Sequence, residues 1–459
     1  RPQAVLLVAL SLVAMWGGNV AAAAGAQEWV TSWGRSMTSN HIQVKGAHGE
    51  PETDAYGHPV DRSPDIHAAT LRQTVFSTVG GDRVRIHLSN YYGLEPLTVS
   101  AAGIALGDPQ AKDLSTIQPA SAHPVTFEGG HASVTIAPGQ AVVSDPVSMH
   151  VPRLSRVAVS LYFSGTAHLS DVHPFEPERA TYAVPGSALE ALSLAGKTSV
   201  LPKDDEGYFY FLDGLQVLAP ASTRGIVAFG DSITDGHRAT GPGKPWPAVL
   251  ARIADEAHGG AMAAVVNAGI GGNELTTDQI GNPGAGASGL KRFEHDVIEQ
   301  PGVTDVIVLF GANDLERGID PAGYPRGASA NDMIASLRML IDVAHQHHLR
   351  IYAGTITPVA GFPDPGWYTP RKEAIRQQVN QWIRTSGAFD GVIPFAEAIS
   401  GTYKPSPLAA TQHPLPPGMA NICAGDAGLH PNDRGYEVMG TLAYNALFGK
   451  DVQPRQPCH

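Results

Sequence analysis

The amino-acid sequence predicts two domains of different fold class, an all-β sandwich over residues 27–220 and an α/β domain over residues 221–459. In the first range, short runs of alternating polarity stand between turn signals. In the second range, apolar strand-like runs alternate with segments long enough for helices. The length of 459 residues also favours two domains, because a single core of that size is unusual.

The first segment, residues 1–26, has the pattern of a secretory signal peptide. Arg1 precedes the uncharged apolar run Ala4–Met15, and small residues follow up to Ala24-Gly25-Ala26. A charged start, an apolar stretch and an A-x-A end predict export with cleavage after Ala26. The apolar run is too short to be a spanning helix. We therefore expect a mature chain that is soluble and exported, either periplasmic or extracellular, with no stable membrane insertion.

The segment over residues 27–220 is predicted to be a β-sandwich. Alternating strands are indicated at residues 84–88 and 156–163, and a shorter one at residues 132–136 ends before Pro138-Gly139. Few stretches have helical spacing, which favours two packed sheets. Residues 41–64 are polar and rich in Gly, His and Pro, so they predict a long loop or insertion.

The segment over residues 221–459 has βαβ alternation, which predicts a parallel, doubly wound sheet with right-handed crossovers. The expected strands are residues 225–229, 263–266, 305–310, 350–353 and 391–395. The expected helices are residues 246–258, 331–347 and 369–386, and a last helix follows His430.

Composition excludes several classes of function. The formal net charge of −12 and the absence of any Lys/Arg-rich run argue against a nucleic-acid partner. The chain has no HExxH or CxxC motif and no cluster of carboxylates, so the sequence implies neither a metal nor another cofactor.

The strongest chemical signal is Ser232. Residues 225–229 form an uncharged apolar run, as expected for a strand covered on both faces, and Gly230-Asp231-Ser232 follows directly. α/β folds place their chemistry just past the carboxyl ends of strands. A serine on a sharp turn there can be a nucleophile, with the amides of the next helix start near a developing negative charge. Alone, the motif would more simply be a serine at a helix N-cap.

Three further segments follow strands and supply the other parts of an acyl-transfer site. A glycine cluster after residue 266 includes Gly272, whose N–H could approach a ligand closely. Asn313, after residue 310, has a side-chain amide that could donate to an oxyanion. Asp426 and His430 stand on one loop, as a general base and its orienting acid require. The neighbouring acids Asp231 and Asp314 are expected to be buried and to fix their turns.

Together, these segments resemble the four blocks of the SGNH (GDSL-type) serine esterases. Gly230-Asp231-Ser232 matches the first block and Gly272 the second, Gly311-x-Asn313-Asp314 matches the third, and the loop with Asp426 and His430 matches the last. The resemblance implies a flavodoxin-like three-layer α/β/α sandwich. It also implies that Ser232 is the nucleophile and His430 the base and then the acid. The amides of Ser232 and Gly272 and the side chain of Asn313 would form the oxyanion hole.

The last block departs from the family pattern. Three residues separate Asp426 from His430, whereas the family usually has two. A positive φ at Gly428 could absorb the extra residue and leave Asp426 as the orienting acid, which we favour. Alternatively, a backbone carbonyl holds Nδ1 of His430 and Asp426 is only a loop residue. Asp433 is expected to open the final helix.

The N-terminal half resembles, more loosely, the β-sandwich that precedes the hydrolase in some exported two-domain bacterial members. The matching segments are residues 71–74, 85–90 and 103–106. In those members, the β-sandwich could dock the enzyme or shape the rim of the active site. Aromatic residues that could line the site are Trp246, Trp367 and Tyr368, although such residues are more often core.

These observations predict an exported serine esterase that removes small acyl groups, acetyl above all, from a carbohydrate or another small-molecule ester. A lipase or lysophospholipase is the competing enzyme, because the family supports many esters. An inactive carbohydrate-binding protein is the alternative from another class, and only the altered spacing before His430 favours it.

In an oxidising compartment, Cys423 and Cys458 could form a disulfide that stiffens the His430 loop. The sequence does not fix the oligomeric state.

Overall fold

The structure is a computed structural model. It describes residues 26–39, 65–174, 180–201, 207–258, 263–278, 285–316, 327–360, 362, 367–401, 420–421, 423, 428–455 and 458. Most of the predicted signal peptide, the predicted loop at residues 41–64 and Asp426 lie outside these ranges. Within them, no helix combines the length and the apolar content needed to cross a bilayer.

The regular elements that the structure describes up to Pro220 are strands and one 3₁₀ turn at Pro119–Ser121. In chain order the strands are β1 (Gln27–Gly34), β2 (Thr38–Ser39), β3 (Asp65–Phe76), β4 (Val84–Asn90), β5 (Leu97–Val99), β6 (Ala101–Leu106), β7 (His123–Val125), β8 (Val134–Ile136), β9 (Gln140–Val143), β10 (Arg156–His168), β11 (Asp171–His173), β12 (Thr181–Pro185), β13 (Phe209–Tyr210) and β14 (Leu212–Pro220).

Two antiparallel sheets share the N-terminal core, which confirms the predicted sandwich. One sheet has the order β1-β14-β4-β9 and the other the order β12-β3-β10-β6-β7. Apolar side chains of both sheets, among them Leu88 and Leu215 of the first and Leu71 and Val159 of the second, belong to one buried cluster. The first and last strands of this region, β1 and β14, pair with each other from Gln27↔Pro220 to Gly34↔Gly214.

Arg72, in the segment of residues 71–74 that the sequence singled out, is a structural residue of β3. Its side chain is fully buried, and its guanidinium donates to Ser160 Oγ and to the carbonyls of Ser115, Leu189 and Ala191. A buried guanidinium requires that many acceptors. Arg72 therefore fastens the segment after β12 to the face of the sheet.

After β14 the architecture changes to a parallel sheet with helices on both faces. The strands are β15 (Arg224–Gly230), β16 (Ala263–Gly269), β17 (Val303–Leu309), β18 (Arg350–Gly354) and β19 (Gly391–Ile393), followed by the short pair β20 (Ser400–Gly401) and β21 (Ala420–Asn421). The helices are α1 (Ser232–Asp235), α2 (Trp246–His258), α3 (Gly289–Phe293), which continues as a π-turn (Glu294–Ile298), α4 (Ala312–Glu316), α5 (Ala330–Gln346), α6 (Pro370–Thr385), α7 (Phe395–Ile399) and α8 (Asp433–Phe448).

Local signals in the sequence account for the helix starts. Ser329 and Asp332 form a capping box at the start of α5, which satisfies two backbone donors at once. Thr369 caps α6 and Pro370 occupies its first turn, where a missing N–H costs nothing. The predicted bounds of α2, α5 and α6 are therefore met to within about one residue.

The apolar strands are buried on both faces, as their sequences predict. Ile226 and Ala228 of β15 pack in a cluster with residues of α2 and α8. The alternate residues Val227 and Phe229 pack in a second cluster with residues of α3, α5 and α6. Two helical layers therefore enclose the sheet, and the predicted three-layer α/β/α fold class is confirmed.

The sandwich covers one edge of the parallel sheet. The sheet order is β16-β15-β17-β18-β19, so β16 is an edge strand. Arg35, next to β1, bridges Asn267 of β16 in parallel, and Val265 N donates to Thr78 Oγ1 at 3.0 Å. A Cβ on Gly34 would lie 2.9 Å from Cγ1 of Val266, so glycine permits this close approach. An open sheet edge is thereby protected from other chains.

Candidate active site

The topology places the candidate site at a switch point of the sheet. In chain order the five parallel strands have the spatial arrangement 2-1-3-4-5, so the order reverses between β15 and β17. Ligands of open α/β sheets bind at the carboxyl ends of the strands that flank such a point. Ser232 follows β15 and Asn313 follows β17, which brings these two residues to the same crevice.

The turn around Ser232 is built by its neighbours. Asp231 has an extended backbone and its carboxylate accepts from Ile233 N at 2.9 Å. Ser232 is the first residue of α1, and Gly236 ends this single turn with φ 111°. A Cβ on Gly230 would lie 2.5 Å from the carbonyl oxygen of Leu309. The strand and the turn can pack this tightly because residue 230 is glycine.

His430 meets the serine directly. Its Nε2 lies 2.9 Å from Ser232 Oγ, which is hydrogen-bond distance for a base that takes the hydroxyl proton. Asn432 anchors the end of the loop that carries His430. Asn432 caps α8 through the N–H groups of Arg434 and Gly435. Asn432 N in turn donates to the carbonyl of Cys423 at 2.6 Å.

The predicted disulfide is present in the structure. Cys423 is bonded to Cys458, and Cys423 is itself buried. Since Asn432 N bonds to Cys423, the cross-link joins the C-terminal tail to the segment that leads out of the His430 loop. This is the position in which a covalent tie would stiffen the loop.

The orienting acid is the least defined part of the constellation. Asp426 is outside the described residues, so its role stays a prediction. Gly428 has φ 138°, the positive value that we expect if it absorbs the extra residue of this loop. Asp433 is the first residue of α8, while Asn432 caps it, and the Asp433 carboxylate accepts from Thr240 N and Thr240 Oγ1.

The predicted oxyanion donors lie on the two loops beside the serine. Gly272 has φ 75°, in the left-handed region that favours glycine. Asn313 is 4% exposed and its Nδ2 donates to the carbonyl of Asn273 at 3.0 Å. This bond uses one N–H of the Asn313 amide. It also fixes the plane of the amide group, and with it the direction of the second N–H.

Asp314 and Asp231 fix their turns, as the sequence predicts. The carboxylate of Asp314 accepts from Leu275 N, Thr276 N and Thr276 Oγ1, so it fastens the glycine loop to α4. Burial raises its pKa. Burial also raises the pKa of Asp231 to about 7, against the lowering effect of the Ile233 N–H. Neither carboxylate has a contact of its own with His430 that would orient the ring.

We expect Asp231→Asn to change how stability depends on pH. The pKa of Asp231 rises from 3.8 to about 7 on folding, so the native state holds the extra proton between these values. Wild-type stability should therefore fall as pH rises through this window and then level off, by up to about 1.4 kcal/mol per pH unit. Asparagine keeps the capping oxygen but has no proton to lose. Urea unfolding of both proteins at several pH values between 4 and 8 checks this, and a difference independent of pH would contradict it.

Sequence reasoning missed Arg292. Its side chain is 5% exposed, and the guanidinium donates to the carbonyls of Gly230 and Ala268, at the ends of β15 and β16. It also bonds to Asn273 Oδ1 and Asp296 Oδ2, and its Cζ lies 4.2 Å from the ring centroid of Phe229. Arg292 therefore holds the first two loops of the site together. A single arginine in a helix has no spacing that would reveal such a role.

An apolar wall adjoins the site. Ala312, Val359 and Leu429 form a small buried cluster, against which Phe362 and Trp367 pack. Ala312 precedes Asn313, and Leu429 precedes His430. Trp246 does not belong to this wall. It is the first residue of α2, and its side chain is fully buried in another cluster, with residues of β15 and α8. Among the aromatic candidates, Trp367 is thus the one that the cluster places beside the site.

Comparison with known proteins agrees with this geometry. The profile of the GDSL-like lipase/acylhydrolase family matches residues 228–438. These residues form a GDSL-like lipase/acylhydrolase domain. The match begins within β15 and ends within α8, so it contains Ser232, Gly272, Asn313 and His430. The GDSL-like domain makes the protein a carboxylic ester hydrolase, which acts on small-molecule esters.

Several solved structures are similar to about half of the chain. A lipase/acylhydrolase from Enterococcus faecalis is 25% identical over 51% of this chain and 100% of its own, with a TM-score of 0.36. A variant acetyl xylan esterase from Geobacillus stearothermophilus is 21% identical over 50% and 98%, with a TM-score of 0.33. The aryl esterase of M. smegmatis is 15% identical over 50% and 99%, with a TM-score of 0.37. No curated protein matches the chain.

Proposed function

We propose that this protein is an exported serine esterase that removes small acyl groups, acetyl above all, from carbohydrate esters through an acyl-enzyme. The observation that supports the chemistry best is the 2.9 Å contact between Ser232 Oγ and His430 Nε2. A base within hydrogen-bond reach of a serine on a tight turn is the arrangement that makes a hydroxyl nucleophilic.

The proposed reaction has two halves. Ser232 Oγ attacks the ester carbon while His430 Nε2 accepts the hydroxyl proton. The N–H groups of Ser232 and Gly272 and the amide of Asn313 stabilise the oxyanion, and Asp426 orients the imidazole. His430 then protonates the departing alcohol, which leaves an acyl group on Ser232. In the second half, His430 deprotonates water, which attacks the acyl carbon, and the carboxylic acid and the free serine are released.

The preference for a small acyl group is supported by the space beside the site. Among the described residues, the cavity that adjoins the apolar wall is lined by Ala312, Val359 and Trp367 and has a volume of about 10 Å³. That space is smaller than a drug-sized ligand pocket by more than an order of magnitude. The narrow space beside Asn313 is what supports a short acyl chain in this proposal.

The preference for carbohydrate over lipid is supported by charge and by the predicted export. The chain has a formal net charge of −12, which disfavours binding to anionic lipid surfaces. A neutral glycan ester presents no such repulsion. We also propose that the leader is cleaved after Ala26, and sequencing the N-terminus of the secreted protein tests this.

Hydrolysis of p-nitrophenyl acetate, butyrate and octanoate tests the proposed acyl preference. We expect kcat/KM to be highest on acetate and lower on octanoate by at least about tenfold, because the proposed acyl site has little room for added methylenes. Acetate release from an acetylated xylo-oligosaccharide should parallel the activity on p-nitrophenyl acetate. A preference for octanoate would move the proposal to a lipase. Activity no greater than that of Ser232→Ala on every ester would favour an inactive binding protein.

A further inference from the structure

A second charged cluster lies beneath the nucleophile's turn, and the sequence analysis did not identify it. Asp235, the last residue of α1, is fully buried. Its carboxylate lies 3.1 Å from His173 Nε2, 3.5 Å from His237 Nε2 and 4.0 Å from an Arg35 guanidinium nitrogen. His173 and Arg35 belong to the N-terminal sandwich, while His237 belongs to the GDSL-like domain. The carboxylate of α1 therefore joins both parts of the chain.

His173 connects the N-terminal sandwich to the Asp235 carboxylate. The ring is fully buried, with Nδ1 3.0 Å from the carbonyl oxygen of Ser36 and Nε2 3.1 Å from Asp235 Oδ1. The ring therefore spans from a backbone carbonyl of the sandwich to the carboxylate of α1. Burial alone would raise the pKa of Asp235, but its hydrogen bond with His173 and its contact with His237 hold that pKa below its usual range. Asp235 is thus a fixed anion.

His237 connects this anion to the catalytic base. Its ring is 30% exposed and its centroid lies 5.2 Å from that of His430, with 33° between the ring planes. A Cβ on Gly271 would lie 2.8 Å from His237 Nε2, so the ring rests against the backbone that leads into Gly272. Tyr436 of α8 donates to the carbonyl of His237 at 2.6 Å. His237 therefore contacts both the base and the loop of the predicted oxyanion donor.

We propose that His237 is a positioning residue for the ester hydrolysis, and that the N-terminal sandwich takes part in it through the chain of contacts from His173 to Asp235 to His237. The inference rests on the proposed function. A general base works only within hydrogen-bond reach of its nucleophile, and small misplacements of reacting groups lower rates by up to about 10²-fold. Asp235 contacts the ring of His237 at 3.5 Å, without a hydrogen bond between Oδ2 and Nε2. That ring limits the movement of the His430 imidazole and of residues 271–272.

The test measures the second-order rate constant for inactivation by a fluorophosphonate probe, together with kcat and KM on p-nitrophenyl acetate, in the full chain. We expect His237→Ala to lower labelling and kcat by about 10- to 100-fold with KM unchanged. His237→Phe, which keeps a flat ring against His430 and Gly271, should recover part of the loss. Labelling of His237→Ala at the wild-type rate would overturn the proposal.

A double-mutant cycle tests the role of the sandwich. His173→Gln should lower labelling, and the double variant with His237→Ala should be no slower than His237→Ala alone, because His173 acts through His237. Effects that multiply would overturn this link. Asp235→Asn, which keeps the shape of the side chain, replaces His173→Gln in the cycle if the latter fails to fold.

Arg153→Gln is the matched control. Arg153 of the sandwich pairs with Asp255 of α2 at 2.7 Å, so this variant weakens the same interface without contacting α1. Its labelling should equal that of the wild type; a loss as large as that of His173→Gln would overturn the proposal. Failure of the proposed function has a different signature, namely a wild type that is labelled no faster than Ser232→Ala.

Discussion

Replacing Ser232 with alanine is expected to lower kcat for ester hydrolysis by about 10⁵- to 10⁶-fold, since the acyl-enzyme cannot form. Covalent labelling by the fluorophosphonate should disappear completely. The substitution removes one oxygen from a residue that is 7% exposed, and the Asp231 cap of α1 is retained. We therefore expect the melting temperature to stay close to that of the wild type.

The proposed pairing of Ser232 with His430 also predicts the activity of a variant that lacks both side chains. Residues that act as one unit give strongly non-additive losses. The Ser232→Ala/His430→Ala double variant should accordingly be no slower than Ser232→Ala alone. A further loss in the double variant would mean that His430 acts on the substrate independently of the serine, which contradicts the proposed role of a base that takes its proton from Ser232 Oγ.

Asp426→Asn has the second largest expected effect, a loss of about 10⁴-fold in kcat if Asp426 orients the imidazole. An asparagine cannot hold the tautomer in which Nδ1 of His430 carries the proton, and this change alone has such a cost in a serine triad. Since Gly428 has φ 138°, the three-residue spacing is compatible with a turn that returns the carboxylate to the ring. Steady-state kinetics on p-nitrophenyl acetate measure the loss.

Asp433→Asn is the matched control for this prediction. The carboxylate of Asp433 accepts from Thr240 N and Thr240 Oγ1, and asparagine retains an acceptor for the former. We expect activity close to that of the wild type. If Asp426→Asn is also as active as the wild type, a backbone carbonyl holds Nδ1 of His430, and the site is a Ser-His pair.

The sequence predicted the parts of the fold that depend on local patterns. The short apolar run at residues 225–229 is bounded by a turn signal, which favours a buried strand, and the longer segment at residues 331–347 has the spacing of a helix. The positions of Ser232, Asn313 and His430 followed from motifs that stand directly after strands or before a helix. Each motif has a fixed distance from the element that places it, so short-range reasoning was sufficient.

Contacts between distant segments could not be predicted in this way. Arg292 joins the ends of β15 and β16, and His173 reaches Asp235 from another domain. Such contacts depend on how complete sheets pack, and neither residue has a spacing that distinguishes it from an ordinary surface residue. The role of a lone buried arginine or histidine is recognised only when its hydrogen-bond partners are known.

The pairing of β1 with β14 has a consequence for the synthesis of the chain. The two strands are separated by roughly 190 residues, a long-range closure of the kind that makes folding slow. β1 therefore leaves the ribosome long before its neighbour in the sheet exists, and it has unpaired edges until residue 220 has been made. Residues 34–35 also pack on β16, and this second partner is synthesised later still. We expect a chain of this design to need protection from aggregation before it folds.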